Sequence, residues 1–179
     1  YETITVTIDD ELSGTGNEIS PDARKIATKT AFLKNNMHYH LQLFFANGGG
    51  LCYIVSVGKP KASLNKRELK NGLDEVYQYA EPTLILFPDG VNLAKATDLY
   101  QLYNGALMQA HELGDRFVIM DISYNDLQGK SAIDLFRDSV TGGENPGSLK
   151  YGAAYYPFLQ TTIPNYYSDN TVKIIHHTI

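Results

Sequence analysis

Tryptophan is missing from the 179 residues, and cysteine occurs once, at Cys52. A single thiol makes no internal disulfide, so the fold must stand on its core, as expected for a reducing interior or a particle assembled in one. No stretch approaches the ~18 consecutive apolar residues of a membrane span. The first residues also lack the charged-then-apolar order of a secretion signal. Basic charge is in short supply: 15 Lys and Arg stand against 20 Asp and Glu, a net charge of -5. With neither sign gathered in a long run, this argues against nucleic-acid binding as the main task. Lys59, Lys61, Lys66, Arg67 and Lys70 do cluster, but Glu68, Asp74 and Glu75 interrupt them. A solvated helix face accounts for that mixture better than a phosphate site does. Internal repeats and low-complexity tracts are absent.

What is present is ordinary globular material, 43% apolar and 20% charged, enough for one substantial core. The reading is a single domain over 1–179, with 1–20 as an edge or hairpin strand and a loop. Thirteen tyrosines favour surfaces that must be apolar yet wet, such as subunit contacts. Thr3 to Ile8 alternate like a half-buried strand. Ser20-Pro21-Asp22 offers a helix N-cap, a proline at the first helical position and an acid at the positive dipole end. These signals predict a long helix from Pro21 to Ala46, with a possible break at 34–36 and an apolar stripe through Ile26, Leu33, Met37, Leu41 and Phe44. Asn47-Gly48 stops it in a left-handed turn.

Residues 51–57 then become β-branched and aromatic over one strand length, with Cys52 read as core. Asn65 with Glu68 starts a helix to about Ala80. A short apolar run at 83–87 follows, and Leu93, Ala96, Tyr100, Tyr103, Leu107 and Ala110 mark a helix that Gly114 ends. Phe117 to Ile122 is another apolar run, and 131–140 a last helix with Ala132, Leu135, Phe136 and Val140 inward. Residues 141–147 form a loop, and 151–159 and 171–175 add strands. Apolar strands alternating with amphipathic helices predict an α/β fold, a three-layer sandwich around a mostly parallel sheet.

Three stretches carry a family resemblance. Phe44-Phe45-Ala46-Asn47-Gly48-Gly49-Gly50-Leu51-Cys52-Tyr53 is similar to the helix end, triple glycine and Cys-Tyr strand of contractile tail sheath proteins, found in phage tails, phage-tail-like particles and related contractile injection machines. Asp115-Arg116-Phe117-Val118-Ile119-Met120-Asp121 resembles that family's Arg-Phe-x-Ile-x-Asp strand. Ala153-Ala154-Tyr155-Tyr156-Pro157-Phe158-Leu159 resembles its Ala-Ala-x-Tyr-Tyr-Pro-Trp segment, with Phe158 in place of tryptophan. Leu84-Ile85-Leu86-Phe87-Pro88-Asp89 looks like a further sheath strand.

The likeness spans about residues 40–160. The family's Pro-Gly-Val-Tyr opening and its C-terminal Pro-Pro-Ser-Gly segment are absent, and with Tyr1 in first place the chain reads as a piece of a longer protein. The resemblance implies a subtilisin-like sheath core without protease chemistry, a structural subunit of a phage, prophage or contractile injection particle. Its expected partners are other copies of itself in stacked rings and a helical sheath, the inner tail tube protein and the baseplate. Its place would be the virion tail, assembled in the bacterial cytoplasm, with no nucleic acid or membrane span involved. Phe44, Gly48, Gly49, Gly50, Cys52, Tyr53, Tyr155, Tyr156, Pro157 and Phe158 would fix the core.

A working serine protease of that fold would need a His-Gly-Thr and a Gly-Thr-Ser segment, and neither occurs. His38 and His40 lie two apart and so point in different directions on a helix. His111-Glu112 opens like a zinc-protease motif, but position 115 is Asp where the second His is required. The triple glycine lacks a following Lys-Ser/Thr and sits between helix and strand in the wrong order for a phosphate loop. The best candidates for chemistry are Asp89 and Asp121, each after an apolar strand where ligands gather in parallel sheets. With Asp126 they would suit a metal-assisted hydrolase or a ligand-binding module. Turn and cap roles explain the same aspartates without a ligand. No cofactor is expected.

Overall fold

The computed structural model describes residues 4–12, 19–29, 37–58, 63–164 and 172–178. Read from sequence as one domain, the chain divides into two compact units, Tyr1–Leu33 with Thr162–Ile179, and Lys34–Thr161.

In the first unit, β1 (Ile4–Leu12) is central rather than at an edge. It pairs antiparallel with β2 (Ile19–Lys29) and parallel with β6 (Val172–Thr178), in the order β2-β1-β6. A register shift between Asp10 and Leu12 marks a bulge. The predicted helix over 21–29 is therefore wrong. A favourable N-cap is worth about 1 kcal/mol, whereas the ladder against β1 satisfies backbone groups from Thr5–Lys29 pairing through to Leu12–Ile19. Pro21 is tolerated because β2 is an edge strand, where a missing donor can face away from the ladder. Residues 30–36, which include the expected break at 34–36, lie outside the described residues, as do Lys59 and Lys61.

The second unit begins with α1 (Met37–Ala46). Its end is as expected: Gly48 has φ 83°, its amide donates to Phe45 O, and that of Gly49 donates to Phe44 O. These paired bonds form a Schellman closure, and the Asn47 side chain adds a bond to Leu43 O at 2.8 Å. The stripe itself fails, since no α1 residue is fully buried and Phe44 is 41% exposed. Met37, Tyr39, Leu41 and Leu43 are all half-buried, because apolar residues spread around this helix instead of keeping to one face.

Residues 51–57 overturn a second expectation. They form no strand, Leu51 is 99% exposed, and Cys52 is an exposed thiol rather than core. Propensity alone does not make a strand; a partner edge does.

From there the α/β alternation holds. α2 (Lys66–Val76) is capped by Asn65, whose side chain accepts from Arg67 N. It leads to the short β3 (Leu84–Ile85), a 3₁₀ turn at Gly90–Asn92, and α3 (Ala96–Leu113), closed by Gly114 at φ 70°. Then come β4 (Phe117–Asp121), α4 (Ala132–Ser139) capped by Ser131, a second 3₁₀ turn at Pro146–Tyr151, and β5 (Gly152–Tyr155). Strands β3, β4 and β5 make a parallel sheet in that order.

The core lies between this sheet and α3. Ala96, Leu99, Tyr100, Tyr103, Ala106, Leu107 and Ala110 are buried on the helix, with Ile85, Val118 and Met120 from the sheet. All six residues of the predicted α3 stripe are buried. The opposite sheet face is more open: Phe117 and Ile119 are half-buried, and Leu84 and Leu86 are exposed.

Candidate functional site

Both candidate aspartates sit at C-terminal ends of parallel strands, where ligand sites form in such sheets. Asp89 follows β3 as the residue before the Gly90–Asn92 turn, and its carbonyl accepts from Asn92 N at 2.9 Å. This is the turn role foreseen for it. Asp121 ends β4 and is half-buried. Burial pushes its carboxyl pKa up, opposed by the nearby positive potential of His40 on α1.

The backbone at these strand ends is braced by the protein's own polar groups. Tyr103, fully buried on α3, accepts at its hydroxyl from Asp121 N at 2.9 Å. Tyr100, one turn earlier, accepts from Ser123 N at 3.2 Å. Burial raises the pKa of both phenols, so they remain neutral. Asn125 donates through Nδ2 to Val91 O and Leu93 O, both at 2.9 Å, tying the loop after β4 to the turn after β3. Asp126 is exposed in that loop with φ 48°, a conformation Asp tolerates in turns. Among the described residues no group of three or more His, Cys, Asp or Glu is placed to hold a metal ion.

Beside these bonds stands a group of exposed aromatic rings. The Tyr124 ring meets Phe158 edge-on at 5.7 Å and Tyr156 at 6.1 Å, and its hydroxyl, hydrogen-bonded to Tyr156, has a raised pKa. Tyr155, Tyr156, Phe158 and Leu159 are all exposed, and the Tyr156-Pro157 peptide is cis. Tyr53, like Cys52, is exposed too. The aromatic signature residues expected to fix the core therefore lie on the surface of this unit. Alternation explains Tyr155: it pairs with Asp121, on the sheet face away from α3.

Of the three glycines, two are structurally required. Gly48 adopts positive φ, and a Cβ on Gly49 would lie 2.4 Å from the Phe44 ring, while Gly50 meets nothing within 4 Å.

Two residues of the basic cluster form paired charges. Lys66 reaches Asp98 at 2.8 Å and Gln101 at 2.7 Å on α3, and Lys70 reaches Asp74 at 2.7 Å. A groove of about 280 Å³ runs between α2 and α3, past Lys70, Asp74, Tyr77, Gly105 and Glu112. His111 approaches Asn145 through Nε2 at 2.8 Å and packs edge-on against Tyr151. It thus serves a helix-to-loop contact.

Two polar keystones escaped the sequence reading. The Arg116 side chain, 1% exposed, gives its guanidinium to Val76 O at 3.2 Å, Tyr79 O at 2.9 Å and Gln109 Oε1 at 3.3 Å. Asn104 on α3 accepts from Thr141 N and Gly142 N, both at 3.1 Å, and donates to Ser139 O at 2.8 Å. In the sequence Arg116 figured only within the Arg-Phe-x-Ile-x-Asp resemblance, which gave it no such role; Asn104 gave no signal.

The chain matches no family model, and no curated protein matches it. No helix among the described residues is long and apolar enough to cross a membrane.

Proposed function

We propose that this chain is the core α/β piece of a contractile tail sheath subunit, a non-catalytic structural protein that stacks in rings around an inner tube. One observation carries the reading. At the strand ends Tyr100, Tyr103, Ser123 and Asn125 are engaged in bonds that brace the backbone, while large aromatic side chains stand exposed on Tyr124, Tyr155, Tyr156 and Phe158. Polar groups held inward and aromatic groups held outward suit a body that works through contacts.

In such a sheath, subunits pass from an extended array to a compact one, and the better interfaces of the second state drive the tube. A well-packed α3 core transmits displacement instead of absorbing it. The same reading makes the fold a three-layer sandwich, with a second helical layer over the sheet face that carries Leu84 and Leu86. The charged α2 surface between Lys66 and Glu75 is a further contact candidate.

The competing reading, a metal-assisted hydrolase or a ligand-binding module, rests on Asp121 with its raised pKa at a strand end. Negative-stain electron microscopy of the protein separates them. Rings or tubes, lost when Tyr156 and Phe158 are both changed to Ser, support the sheath. Metal-dependent turnover abolished by Asp89→Asn or Asp121→Asn, in particles that never assemble, refutes it.

A further inference from the structure

The loop over residues 141–147 follows α4 and is held against α3 by three side chains. Asn104 Oδ1 accepts from the amides of Thr141 and Gly142, both at 3.1 Å. One turn on, Met108 Cγ lies 3.1 Å from where a Cβ on Gly143 would stand. His111 comes last, meeting Asn145 through Nε2 at 2.8 Å. Positions 104, 108 and 111 share one face of the helix, so the loop lies along a single strip. Of the three, His111 alone can change its charge.

The direction of the 2.8 Å bond is set by the asparagine. Its Oδ1 accepts from Gly147 N at 2.9 Å, the side-chain cap of the 3₁₀ turn at Pro146–Tyr151. That bond turns Nδ2 toward the ring, and an NH2 group can only donate. His111 must therefore accept at Nε2. The neutral imidazole then carries its one hydrogen at Nδ1, which is buried with no hydrogen-bond partner among the described residues. The ring's polar hold on the loop is one lone pair.

A proton at Nε2 removes that lone pair and sets N–H against N–H. Turning the asparagine over repairs nothing, because its NH2 would then face the amide of Gly147 and the cap would be lost instead. Nor do the surrounding charges favour an imidazolium. Glu112, the next residue on α3, lines the groove toward α2, and Asp115, one turn further, is bound to Arg116. Glu144 on the loop is exposed. From the 3₁₀ turn the Tyr151 ring packs edge-on with His111, and Lys150 Nζ, a like charge, lies 5.1 Å from the centre of that ring. No acid is ion-paired with His111 among the described residues.

We propose that His111 and Asn145 form an acid-released clasp: when the ring takes up a proton, the end of the 141–147 loop and the cap of the following 3₁₀ turn come away from α3, while Asn104 keeps the start of the loop in place. Imidazole is the side chain whose charge changes in mild acid, about pH 5 to 8. The clasp lies apart from the exposed aromatic rings, so it does not depend on the sheath reading.

The test is a titration of the whole nitrogen-15-labelled chain, from about pH 8 to about pH 5, followed by nuclear magnetic resonance. The expected starting state is a ring protonated at Nδ1 alone, with a through-space contact between its protons and the Asn145 side-chain amide. On acidification that contact should be lost. The amide shifts of Gly147 and Ser148 should move with the same midpoint as the ring nitrogens, while Thr141 and the amides of β4 hold still. His111→Gln supplies an acceptor that does not titrate, and Gly147 should then keep its shift throughout. Asn145→Asp offers oxygen to both Gly147 and a charged ring, and should keep the loop closed in acid. A histidine that merely packs would give the same profile with either residue at 145. A ring protonated at Nε2 at the start overturns the proposal, as does protonation that leaves Gly147 and Ser148 unmoved. An unchanged Gly147 midpoint in His111→Gln overturns it too, and so does joint movement of the β4 amides, since the whole unit is then unfolding.

Discussion

Removing the Arg116 guanidinium is the sharpest test of how the second unit holds together. Its charge is buried at the point where α2 ends, where it donates to Tyr79 O in the following turn and to Val76 O, which also accepts from Tyr79 N at 3.1 Å. It also orients Gln109, whose Nε2 donates to Leu73 O at 2.9 Å, so α2, α3 and the start of β4 meet at one side chain. Hydrogen bonds to a charged group contribute about 1.5–3 kcal/mol each. Breaking a buried charged network from one side costs about 3–5 kcal/mol. Arg116→Ala should fall in that range, and Arg116→Lys should recover only part of it, because an ammonium cannot fork to both carbonyls and Gln109 together.

Asp115 is the internal control. It pairs with the same guanidinium at 2.7 Å but is 38% exposed. Solvent screening makes Asp115→Asn the much milder change. Urea unfolding followed by tyrosine fluorescence and circular dichroism reads both variants, with an unchanged slope as the condition for comparing midpoints. Arg116→Ala costing no more than Asp115→Asn would refute the reasoning, since the carbonyls would then be satisfied some other way.

Asn104→Ala should cost about 2–4 kcal/mol, because three bonds to the 139–142 backbone are lost at about 0.5–1.5 kcal/mol each; faster amide exchange at Thr141 and Gly142 would localise the effect. Gly48→Val should cost about 1–3 kcal/mol through left-handed strain. Gly50→Val should be near neutral in the same thermal melt, and equal effects at both positions would dismiss the Schellman closure as an anchor. Burial raises the Asp121 carboxyl pKa in the folded state, so the folded chain holds that proton more tightly than the unfolded chain. The charge therefore opposes folding above the raised pKa, and the opposition fades as pH falls through it towards the unfolded value. Asp121→Asn should raise the urea midpoint at pH 7, with the difference shrinking by pH 4. Asp115 acts in the reverse sense: Arg116 lowers its pKa, and its stabilisation is present above the unfolded value and lost as pH drops through the folded one.

The sequence alone determined the elements whose signals are local and consistent. A six-residue apolar stripe and Gly114 specified α3, Ser131 and Asn65 specified the starts of α4 and α2, and the run before Asp121 specified β4. In each, capping chemistry and periodicity point to the same structure. Asn47-Gly48 belongs with them, because only the bonds of its own helix end decide its turn.

Tertiary structure decided what depends on a partner. Residues 19–29 carry helix-start signals yet pair with β1, since a cross-strand ladder outweighs one cap. Residues 51–57 carry strand signals yet pair with no strand among the described residues, since propensity alone makes no ladder. The roles of Arg116 and Asn104 come from backbone carbonyls and amides at least 35 residues away, which no local pattern encodes. Which side of the sheet Tyr155 and its aromatic neighbours face was likewise settled only when β5 took its register on β4. Local sequence sets what a segment prefers; long-range pairing sets which preference is satisfied.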